Sequence, residues 1–67
     1  MSNYLLEYMK IHLISLEQDL EKLQEEMDSI EIGSKAFGQL DIEYNWVSGQ
    51  ITATRHFIQI GEENADN

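Results

Sequence analysis

The chain has 67 residues, 13 acidic against 4 basic, a formal charge of -9, and neither cysteine nor proline. That length holds one small domain, and the missing cysteine excludes disulfides and thiolate metal ligands. The negative balance argues against direct binding to nucleic acid or to an anionic membrane, and favours solubility or a basic partner.

Ser2 or Asn3 can cap a first helix, its side-chain oxygen accepting an orphan backbone N–H. From there Leu6, Met9, Leu13, Leu16, Leu20, Leu23, Met27 and Ile30 recur at alternating steps of three and four. This is a heptad seam, the pattern of a long helix that lies against another helix. No Gly or Pro interrupts it, and good helix formers fill the spaces, so the sequence predicts helix 1 over about 3–31.

Gly33 follows where a helix calls for a left-handed residue, and Ser34 is a good N-cap for a second helix. The seam resumes with Phe37, Leu40, Tyr44, Val47, Ile51, Thr54 and Ile58. Helix 2 is expected over about 35–60, ended by Gly61. Gly38 favours a rival start at Asp41, but Phe37 and Leu40 are already in phase. So short a turn predicts an all-α antiparallel hairpin, resembling a coiled coil. It forms one domain over 1–61, with an acidic, frayed tail over 62–67.

Helix 2 carries a second apolar stripe, Ile42, Trp46, Gly49, Ala53, Phe57 and Ile60, roughly opposite the first. Tyr4, Tyr8 and Ile11 lie off the seam of helix 1 at the end that meets Phe57 and Ile60. A helix that is apolar on two sides is sandwiched, and one hairpin supplies only one neighbour. A core this small contributes no more than about 3–5 kcal/mol, and small scaffolds add a disulfide, a metal or an oligomer. The expected state is a homodimer in which two hairpins form a four-helix bundle. Gly49 and Ala53, four apart, would let another backbone come close; a kink at Gly49 is the alternative.

Between Glu17 and Glu31 stand seven acids and one base, Lys22. Glu17, Glu21, Glu25, Asp28 and Glu31 make the candidate face for a basic protein. The bland alternative is a solvated surface that keeps a small oligomer soluble.

Catalytic chemistry finds no foothold. His12 and His56 lack the preceding Glu of a Glu-x-x-His pair, since Met9 and Ala53 hold those positions. Zinc normally takes three or four placed ligands, and no phosphate loop, nucleotide fingerprint or calcium loop is present. No enzyme activity, metal or cofactor is expected. Glu7 and Lys10 interrupt the apolar start, so no leader and no membrane span are expected, and the cytoplasm is the expected compartment.

The shape is similar to the small plasmid copy-number regulators that bind RNA as hairpin dimers. The likeness covers length, two helices and an acidic tail, and no motif. The basic face that RNA binding needs is absent, since only Lys10, Lys22, Lys35 and Arg55 are available. The expected function is a non-enzymatic, acidic protein-interaction module, a regulator or inhibitor engaging a basic, nucleic-acid-binding protein. The size would suit an accessory gene of a phage or other mobile element. The alternative is a structural subunit that assembles through its two apolar faces, with the acid only solvating it.

Overall fold

The computed structural model describes residues 3–64. Both seams fold as their spacing predicts. Helix α1 spans Asn3–Asp28 and α2 spans Lys35–Glu63, and they pack against each other as a hairpin. Leu6, Leu16, Leu23 and Met27 of α1 are buried, as are Val47, Ile51 and Ile58 of α2. The other seam positions, from Met9 to Ile30 and from Phe37 to Thr54, are half-buried. At the centre Leu16, Leu23, Val47 and Ile51 form one cluster, with Leu13, Leu20, Leu40 and Tyr44 packed around it. Every seam residue thus serves the helix–helix contact.

Helix α1 stops three residues earlier than the sequence predicts, at Asp28 rather than Glu31. The Ser29 amide and hydroxyl both donate to the Glu26 carbonyl, at 3.2 and 2.7 Å, and the Ile30 amide donates to the Met27 carbonyl at 3.4 Å. Three-residue bonds of this kind tighten and close a last turn. A serine hydroxyl that competes for a backbone partner favours that ending. Acids at this negative end of the helix dipole do nothing to extend it.

The turn covers residues 29–34. Gly33 has φ +93°, the one positive φ among the described residues, and a Cβ there would meet nothing within 4 Å. Glycine is favoured here by backbone conformation alone. Ser34 then caps α2: its backbone is extended and its Oγ accepts from the Phe37 amide at 3.1 Å. The early start of α2 at Lys35 therefore holds, and Gly38 lies inside its first turns.

At the far end the expectation for Gly61 is corrected. Gly61 does not stop α2; it is a buried helical residue, one seam step beyond Ile58, and the helix continues to Glu63. Its φ is not positive, so it is not a left-handed cap. Asn64 closes the helix instead, donating from Nδ2 to the Ile60 carbonyl at 2.7 Å and from its amide to the same oxygen at 3.2 Å. Glu62 and Glu63 are accordingly helical, not frayed. The expectations for Ser2 and for 65–67 lie outside the described residues.

The hairpin is a rod of 51 × 14 × 11 Å with a radius of gyration of 15.3 Å, against about 11 Å for a compact domain of this length. It exposes 5099 Å², where a globular monomer of its mass exposes about 4,400 Å². Among the described residues no helix is long and apolar enough to cross a membrane.

Gly33→Ala is expected to lower unfolding stability by about 1–2 kcal/mol, the cost of a side chain at positive φ. Ser34→Ala should cost about 1 kcal/mol through the lost cap. Urea titration followed by circular dichroism checks both.

Candidate interaction surfaces

A two-helix layer has two sides, and each carries a groove between the helices. On one side a groove of about 490 Å³ runs between the helices over Leu16, Leu23 and Val47. Its walls carry Asp19, Lys22 and Glu26 from α1, and Glu43, Trp46 and Gln50 from α2. On the other side a groove of about 390 Å³ over Leu20 and Ile51 is walled by Glu17, Glu21, Gln24, Ser48, Thr52 and Arg55. Both grooves have apolar floors and polar walls: the first carries Asp19, Glu26, Glu43 and Lys22 beside Trp46, the second Glu17, Glu21 and Arg55 beside Tyr44. Trp46, Ala53 and Ile60 share one face of α2 at steps of seven, with Phe57 beside them.

The second stripe is present on the outer side of α2: at 3.6 residues per turn Gly49, Ala53 and Ile60 each lie roughly 160° from the buried Val47, Ile51 and Ile58, while Trp46 reaches the border of the groove over Val47. Nothing in the hairpin covers its ends: Ile42 is 72% exposed and Trp46 68%, with Phe57 at 53% and Ile60 at 38%. Tyr4, Tyr8 and Ile11 of α1 are exposed too. The Tyr8 ring stacks on His12, centroids 6.3 Å apart and planes 9° apart, while His56 leans on Phe57 at 6.0 Å. Gly49 and Ala53 are exposed at mid-stripe, and a Cβ on Gly49 would meet nothing within 4 Å. Sequence reasoning passed over three more exposed apolar residues, Leu5, Ile14 and Ile32. Leu5 and Ile14 sit off the seam, and Ile32 lies in the turn, where periodicity gives no signal.

The candidate acidic face divides. Glu21, Glu25 and Asp28 project from α1, all exposed. Asp28 accepts from Gln24 Nε2 at 3.0 Å. Glu31 is no longer on the helix but in the turn, off the line of the others. Glu17 is engaged within the hairpin: its Oε2 receives the Arg55 guanidinium at 3.0 Å. This ion pair was not anticipated. Its signal is register, since the two residues flank corresponding positions of the antiparallel seams. Lys22 ion-pairs with none of its acidic neighbours; the other ion pair among the described residues is Lys10 with Glu7 at 3.6 Å.

His12 and His56 are each engaged with an aromatic ring of their own helix. Among the described residues no group of three or more His, Cys, Asp or Glu side chains could hold a metal ion.

Comparison with protein families, with characterised proteins and with solved structures returns no match.

The Glu17–Arg55 pair is well exposed at both ends, and exposed pairs contribute ~0.2–1 kcal/mol. Glu17→Gln should therefore shift the urea midpoint only slightly, and by less still in high salt. A loss well above 1 kcal/mol would mean that the pair sets the register as well as decorating it.

Proposed function

We propose that this chain is a non-enzymatic protein-interaction module. It dimerises through the exposed apolar stripe of α2 into a four-helix bundle and presents the acidic face of α1 to a basic protein. The observation that carries the reading is the segregation of the two surfaces. Trp46, Ala53, Phe57 and Ile60 stand exposed on α2, while Glu21, Glu25 and Asp28 stand exposed on α1. More large apolar side chains are exposed than buried among the described residues. Tyr4, Tyr8, Ile42, Trp46 and Phe57 are each more than half exposed, and large exposed apolar groups that cluster mark interaction sites. Burying the stripe against a second copy hides the aromatics at the centre of an interface, where they contribute most. A bundle so made leaves Glu21, Glu25 and Asp28 outside, available to Lys- and Arg-rich partners such as nucleic-acid-binding proteins. A regulator or inhibitor of such a protein is the role that suits this arrangement.

The second reading, a structural subunit with a merely solvating acid, draws on one observation. Glu17 is committed to Arg55 and Glu31 is off the helix, which reduces the charged face to three carboxylates.

Light scattering over a dilution series tests the dimer. The parent is expected at twice the chain mass of 7.8 kDa, and Ala53→Glu, which places a charge in mid-stripe, at the mass of one chain. A parent that stays monomeric at every concentration sinks the bundle. The two readings separate on titration with a lysine- and arginine-rich peptide. A functional acidic face binds it and loses at least tenfold in affinity from low to high salt, or when Glu21, Glu25 and Asp28 are neutralised together. A solvating face shows no such binding, while the dimer persists.

A further inference from the structure

We infer that the second copy docks head to tail, α2 lying antiparallel on α2 of the other molecule about a two-fold axis level with Ile51. This rests on the dimer reading above and adds to it the orientation and the register.

The stripe reads, in chain order, Ile42, Trp46, Gly49, Ala53, Phe57, Ile60. In size it is close to a palindrome: two large residues, two small, two large. A two-fold interface brings a surface against itself, so residue i meets j and j meets i. Reversed on its own copy, the stripe sets Ile42 by Ile60, Trp46 by Phe57 and Gly49 by Ala53. The small residues fall at the axis, where two crossing helices come closest, and the large ones fill the space on either side.

Gly49 supports this independently. A glycine inside a helix costs about 1 kcal/mol relative to alanine. Nothing in the hairpin requires one here, since a Cβ would enter open space and the backbone is helical with no positive φ. A second backbone passing over it would use the missing side chain.

Charge selects the orientation. Nine of the 13 acids and two of the four bases lie between Glu17 and Glu43, in the half of the rod that contains the turn. Docking turn to turn would set these acidic halves together; docking head to tail sets each beside the less charged open end.

The chain has no cysteine, so single-cysteine variants take spin labels cleanly. Lys35→Cys, at the exposed start of α2, and Thr52→Cys, exposed and level with the axis, are the two positions. Head-to-tail docking places the two labels at 35 about 48 Å apart, from ~1.5 Å rise per residue, and the two at 52 much closer. Short distances at both positions mean turn-to-turn docking and overturn the inference while leaving the dimer intact. No dipolar coupling at either position, with a monomer mass, overturns both. Gly49→Leu supplies a second readout. Leucine is a good helix former and has open space on the hairpin, so helicity should be kept while the dimer dissociation constant rises at least tenfold. A dimer as tight as the parent would remove the close approach at Gly49.

Discussion

Everything in this molecule depends on the seam between α1 and α2. Two helices bury one stripe each and nothing more. That contact organises Leu16, Leu23, Val47 and Ile51 into a core, sets the register that brings Arg55 to Glu17, and dictates which residues are left facing water. A two-helix layer cannot enclose a third face. The aromatic and aliphatic side chains off the seam are therefore a direct result of the architecture, and the surfaces proposed for interaction are what that constraint leaves over.

Charge and shape then act together. The acids are crowded into the half of the rod that contains the turn, where Glu17, Glu21 and Glu25 repeat at a spacing that repels along a helix. A compact fold would have to gather this charge more closely. A rod spreads it along solvent, and Arg55 answers one carboxylate across the hairpin while Gln24 donates to another. The groove beside Trp46 shares in this crowding, since Asp19, Glu26 and Glu43 line it with Lys22. The two surfaces are separable in chemistry because α1 and α2 divide the cylinder between them.

Most of the fold was legible in the sequence because heptad spacing is a strong, redundant signal. Leu6 to Ile30 and Phe37 to Ile58 define which side of each helix turns inward, and Ser34 and Gly33 define the turn. The ends were less legible. The stop at Asp28 depends on Ser29 taking the Glu26 carbonyl with both its amide and its hydroxyl, a local competition that periodicity does not register. Gly61 misled because glycine can sit inside a helix as well as cap one in the left-handed conformation, and only the backbone distinguishes them. Of the candidate surfaces, exposure of Trp46 and Phe57 followed from their place off the seam. The loss of Glu17 to an internal ion pair required the actual register.

The turn has a bearing on the order of folding. Its six residues, 29–34, join Ile30 and Met27 to Phe37 and Leu40 across a short stretch of chain, so closing it costs little loop entropy. Contacts beside the turn are local and suited to form early, whereas those between Leu13 and Ile58 await the closing of the whole rod. The hairpin would then zip from its acidic end toward its open end. The open end is where Tyr8, Phe57 and Ile60 stand exposed, so the last part of the chain to be ordered is also the part with most to gain from a neighbour. Association and the final stage of folding would then be coupled events, and the lifetime of the open end would set how long its aromatic surface stays available to a wrong one.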